Sequence, residues 1–127
     1  MTSQEIIRFV AEKLIAQGQR SVSCNNPQAC LYRGPEGRKC GAGWLIPDAL
    51  YEHYMEGKTI LWVLQNYSEV EKAVLPTDLS LHAGQRLLSQ MQSIHDDCLV
   101  EEWPEEFENL GKRIEKCLKG EDTNFLG

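Results

Sequence analysis

At 127 residues, with 42% hydrophobic and 25% charged residues, the chain has the length and composition of one globular domain with its own core, which excludes disorder, collagen and low complexity. A formal net charge of −6 argues against general nucleic-acid binding, which needs a concentrated positive surface. The longest apolar candidate, Ile60–Leu64, is far short of the roughly 18 residues of a membrane span, so no membrane partner is expected.

The N-terminus places Glu5 and Arg8 in an amphipathic pattern, not in a basic flank before an apolar run, so no export signal is expected. Cys24, Cys30, Cys40, Cys98 and Cys117 make an odd count of five. Together these features point to a reducing, cytoplasmic compartment and away from a disulfide framework.

Thr2 and Glu5 form a capping box, with Ile6, Ile7, Val10, Ala11, Leu14 and Ile15 at helical spacing and Gly18 as the stop. Asn25-Asn26-Pro27 signals a turn, Ala29–Arg33 reads as a strand, and Gly34-Pro35-Glu36-Gly37 reverses the chain. Arg38–Gly41 returns as a second strand, giving a β-hairpin over Cys30–Gly41. A helix is predicted from Pro47-Asp48 to Gly57, then one over Ile60–Gln65 capped by Thr59, and one opened by Ser68 and Glu71 and stopped at Leu75-Pro76. A longer helix follows over Leu79–His95, and a last one from Pro104 to Gly120 with acids early and bases late. The expected architecture is α+β: a mostly helical domain over 1–120, about five helices packed around one short hairpin, with 121–127 as a flexible C-terminal tail. Its core should draw on Ile6, Val10, Leu14, Leu31, Leu45, Leu88, Met91, Ile94, Leu110 and Ile114.

The densest stretch holds Cys30-Leu31-Tyr32-Arg33-Gly34, Lys39-Cys40-Gly41-Ala42-Gly43, Leu45-Ile46-Pro47-Asp48, Tyr51 and Met55-Glu56-Gly57. These residues resemble a set of small uncharacterised bacteriophage and prophage proteins that share C-x-Y-R-G, C-A-x-G-x-L-I-P-D, Y and E-G. Met91-Gln92, Ile94-His95-Asp96 and Trp103 extend the resemblance over most of the chain, while Gly41 and Trp44 depart from it, where alanine and a small residue or cysteine are usual. The resemblance implies a phage or prophage source and no particular chemistry.

Cys40 before a helix, with His95 later in the chain, follows the order of papain-like hydrolases and gives a candidate nucleophile and base. The alternative is a small buried thiol in the hairpin. Cys24, Cys30, Cys40 and His95 or Cys98 have zinc-binding side chains, but gaps of five and nine residues do not fit a zinc knuckle, so neither metal nor cofactor is expected. Gly41-Ala42-Gly43 with Arg33, Arg38 and Lys39 offers a cradle for an anionic small molecule such as a nucleotide, although the glycines match no phosphate-loop spacing. A tight strand-to-helix turn explains the same glycines.

From Asp96 to Glu108 the chain carries Asp96, Asp97, Glu101, Glu102, Glu105, Glu106 and Glu108 with no lysine or arginine. Arg20, Arg33, Arg38 and Lys39 gather instead around the predicted hairpin. This segregation suggests a binding surface made of Tyr32, Arg33, Arg38, Lys39, Asp48, Glu101, Glu102 and Trp103, the tryptophan serving as aromatic anchor. The functional expectation is an accessory binding protein that acts on a host protein in the bacterial cytoplasm, an inhibitor of host defence being one form of such action. A Cys-dependent hydrolase or transferase and an anionic-nucleotide binder are the alternatives.

Overall fold

The computed structural model describes residues 1–26 and 29–121. Among these residues the regular structure is five α-helices: α1 (Ser3–Gln17), α2 (Ile60–Asn66), α3 (Ser68–Val74), α4 (Leu81–Asp97) and α5 (Trp103–Leu118). Between α1 and α2 the described residues form single 3-10 turns at Pro35–Gly37, Ala42–Trp44 and His53–Met55 and one isolated bridge.

The helix ends follow local chemistry. Thr2 Oγ accepts from Glu5 N at 3.2 Å while the Glu5 carboxylate accepts from Thr2 N at 2.8 Å, closing the capping box of α1. Thr59 caps α2 through Trp62 N, and Ser80 caps α4 through Ala83 N, which moves the start of α4 two residues past the predicted Leu79. Ser3 is fully buried and donates both its N–H and its hydroxyl to Asp78, each at 2.8 Å, tying the start of α1 to the link between α3 and α4.

α1 packs chiefly on α5, and α4 bridges α2, α5 and α1. The core is continuous from Ile6, Val10 and Leu14 of α1 through Leu87, Leu88 and Met91 of α4 to Phe107, Leu110 and Ile114 of α5. Of the predicted core residues only Leu31 is half-buried; its neighbour Tyr32 takes the interior position.

The predicted α+β class is overturned. Among the described residues there is no sheet and no hairpin, only an isolated antiparallel bridge between Val22 and Cys30. The backbone donors that a Cys30–Gly41 hairpin would pair with one another are taken by other groups. Leu31 N donates to Ser21 O, Tyr32 N and Arg33 N donate to the Glu56 carboxylate, and Lys39 N donates to Gln17 Oε1. One rung, Gly34 N to Arg38 O at 2.8 Å, closes the Gly34–Gly37 turn.

The helix predicted from Pro47 to Gly57 is also absent. Pro47 O closes a single turn with Leu50 N and Tyr51 N, Glu52 is extended, and one 3-10 turn follows at His53–Met55. The predicted tail over 121–127 lies, apart from Glu121, outside the described residues.

Candidate functional site

The motif residues of the long segment converge on two side chains, Arg33 and Glu56. The Arg33 guanidinium donates to Gly43 O at 2.7 Å, Ile46 O at 2.8 Å and Asp48 Oδ1 at 3.0 Å, and it lies 4.7 Å from the centre of the Tyr51 ring. Glu56 accepts from Tyr32 N at 2.9 Å, Arg33 N at 3.0 Å and the Tyr51 hydroxyl at 2.6 Å. Burial, then the bond to Glu56, pushes the Tyr51 phenol up to about 12.

Tyr32 is buried, donates its hydroxyl to Lys58 O at 2.8 Å, and is raised in pKa chiefly by burial. Two glycines let this knot close. A Cβ on Gly43 would stand 2.5 Å from Tyr32 O, and one on Gly34 would stand 2.3 Å from Ser21 Oγ.

This geometry commits the cations predicted for an anion. Arg33 holds loop carbonyls, Arg38 pairs with Glu36 at 3.0 Å, and Lys39 Nζ lies 4.6 Å from the centre of the Trp44 ring and 3.9 Å from Asp48. Asp48, a predicted binding residue, is thus the exposed partner of Arg33 and Lys39.

Cys40 and His95, the predicted nucleophile and base, are not paired. Cys40 is 1% exposed, and burial pushes its thiol up to about 12 despite hydrogen bonds from the Gly43 backbone and the Gln92 side chain. His95 is fully buried against Trp103, ring centres 5.7 Å apart. Its Nε2 accepts the backbone N–H of Ser21 at 3.0 Å, so Nδ1 carries the proton and gives it to Asp96 Oδ1 at 2.7 Å. Both ring nitrogens are engaged, and neither is offered to the Cys40 sulfur.

The fold does bring Cys30 and His95, two members of the set weighed for zinc, together with Asp96, which that set lacked. The ligating atoms of Cys30, His95 and Asp96 lie within 4.8 Å of one another. Asp96 sits in the middle, accepting from the His95 ring and interacting with the Cys30 thiol, which burial and then the Asp96 charge push up to about 12. A half-buried thiol whose ionisation is opposed by burial and by a neighbouring carboxylate is a poor nucleophile. A cation on His95 Nδ1 would require the ring proton to move to Nε2, where it would meet the Ser21 N–H head-on. The donor set therefore does not fit a metal ion.

Cys30 and Asp96 lie at one end of a cleft of about 710 Å³ between the segment at Ala29–Tyr32, the start of α2 and one face of α4. No family model, curated protein or solved structure matches the chain.

Beyond the cleft, the link from α4 to α5 forms an acidic corner. Glu101 and Glu102 are exposed, Glu102 caps Leu99 N at 2.8 Å, and Leu99 is 56% exposed. Trp103 points the other way: it is fully buried and donates Nε1–H to Ile94 O at 3.1 Å. The predicted aromatic anchor is therefore a core residue, and the apolar group at this surface is Leu99. Arg20 donates to His95 O and Cys98 O, fastening the segment after α1 to the end of α4. No helix among the described residues is long and apolar enough to cross a membrane.

Proposed function

We propose that the chain is a non-enzymatic accessory protein of phage or prophage type that works by docking on a host protein in the bacterial cytoplasm. The observation that carries this reading is a contrast in use. Of the residues with chemical potential, Cys40 is buried and His95 and Arg33 are spent on backbone groups, whereas Leu99, Glu101 and Glu102 are exposed on the turn between α4 and α5. An exposed leucine ringed by acids suits a partner surface with an apolar pocket and a basic rim, where charge sets association rate and partner choice. The phage resemblance supplies the host setting, with inhibition of a defence factor as one form of the action.

The test compares capture of host proteins by the wild-type chain and by the Glu101→Lys/Glu102→Lys variant. A specific protein retained by the first and lost by the second, with salt weakening the complex, supports the reading. Identical capture by both would remove it.

A further inference from the structure

The cleft beside the acidic corner has two unlike kinds of lining. Leu31, Ile60 and Leu61 supply apolar lining, and Ser89, Ser93 and Asp96, at helical spacing on α4, supply polar lining together with Asp97. Its volume of about 710 Å³ is ample for one long side chain with adjoining backbone. Asp96 is held in place by the buried His95 ring, which is itself fixed by Ser21 N. The acceptor is thus oriented before anything binds.

We infer that this cleft receives an arginine side chain from a basic segment of the docking partner, an inference that rests on the docking reading above. An arginine stem can lie along the apolar lining while its planar fork of five N–H donors meets a carboxylate and the neighbouring hydroxyls together. A phosphate or carboxylate ligand would meet the Asp96 and Asp97 charges instead. The cation lining the cleft, Lys58, has its Nζ over the Trp62 ring, 5.1 Å from the ring centre. The acids run on along the chain to the corner: Asp96 and Asp97 close α4, and the exposed Glu101 and Glu102 stand in the 3-10 turn that follows. A segment with successive basic residues can therefore place one in the cleft and its neighbours along Glu101 and Glu102.

The test titrates the isotope-labelled full chain with the capped peptide Gly-Arg-Gly-Arg-Gly, and with the same peptide carrying citrulline, the neutral isostere of arginine. The expected result is movement of the amide signals of Thr59, Ile60, Ser93 and Asp97, and at least about tenfold preference for arginine over citrulline. Ser93→Trp, which fills the mouth from an exposed helix position, and Asp97→Asn should each weaken that binding with unchanged helical signal. Equal binding of the citrulline peptide, or shifts confined to the Glu101–Glu102 turn, overturns the inference. A host protein lost by Glu101→Lys/Glu102→Lys yet kept by Ser93→Trp also overturns it and leaves the docking reading standing. A cleft that takes the arginine peptide while no host protein is captured overturns the docking reading and keeps the arginine site.

Discussion

The backbone N–H of Ser21 points at Nε2 of His95, 3.0 Å away, and this contact decides what the histidine can do. It fixes the tautomer, aims the Nδ1 proton at Asp96, and withdraws the ring from both cysteine and metal chemistry. Replacing His95 by alanine leaves a buried N–H without an acceptor and a void beside Trp103. The loss should be about 2–4 kcal/mol in denaturant unfolding. Equimolar zinc should leave the wild-type Tm unchanged; a rise in Tm would show that the imidazole can be released to a cation.

The Glu56 carboxylate organises the irregular segment by accepting two backbone N–H groups and one hydroxyl. Glu56→Gln keeps the shape but turns one acceptor oxygen into a donor. Stability should fall by about 1–3 kcal/mol. A matched titration of Tyr51 should show its phenol moving down from about 12, since the Glu56 bond and charge both raise it. An unmoved phenol would argue against the Tyr51–Glu56 contact.

Gly43→Ala places a methyl group 2.5 Å from Tyr32 O, a backbone atom whose own chain is pinned by Glu56. The expected cost is about 1–3 kcal/mol from overpacking. Gly37→Ala is the informative comparison, because a Cβ there meets nothing within 4 Å and only the positive φ of 76° resists it. Equal unfolding midpoints for Gly43→Ala and the wild type would contradict the close approach.

The Cys40 thiol ionises near 9.0 when solvated and is pushed up to about 12 in the fold. Above pH 9 the unfolded chain therefore gives up this proton before the folded chain does. The unfolded state then binds fewer protons, so stability falls as pH rises, by at most about 1.4 kcal/mol per pH unit for this group. Cys40→Ala should flatten the alkaline limb of a plot of unfolding free energy against pH. The same burial predicts that mild alkylation reaches exposed Cys24 well before Cys40; rapid labelling of Cys40 in the folded chain would restore the nucleophile reading.

Charge reversals should separate surface from scaffold. Glu101→Lys on the exposed corner should change stability by less than about 0.5 kcal/mol. Arg33→Glu should cost more than about 2 kcal/mol, since it abandons the Gly43 and Ile46 carbonyls and sets a carboxylate near Asp48. Arg38→Glu loses the pair with Glu36, sets a second carboxylate beside it and gives up a side chain that is 22% exposed, so it should fall between the other two. Thermal unfolding of the three variants gives the order, and a stable Arg33→Glu protein would return that arginine to the surface.

Thr2, Thr59 and the apolar spacing of α1, α4 and α5 were legible in the sequence because helical hydrogen bonds join residues four apart and caps act over three. All the information those elements need is local. The segment from Gln19 to Thr59 read as a hairpin and a helix because its residue types suit strands and turns, and nothing within it reveals who will take its donors. Those partners are distant in sequence: Gln17 for Lys39 N, Glu56 at the far end of the same segment for Tyr32 N and Arg33 N, and Gln92 for Ala42 N. The candidate site was hidden for the same reason. His95 and Asp96 are neighbours in sequence, but Ser21 is 74 residues from His95, and Cys30 reaches Asp96 only when the segment folds back across α4. Local propensity set the helices; the competition for buried backbone donors, decided only by tertiary packing, set the rest.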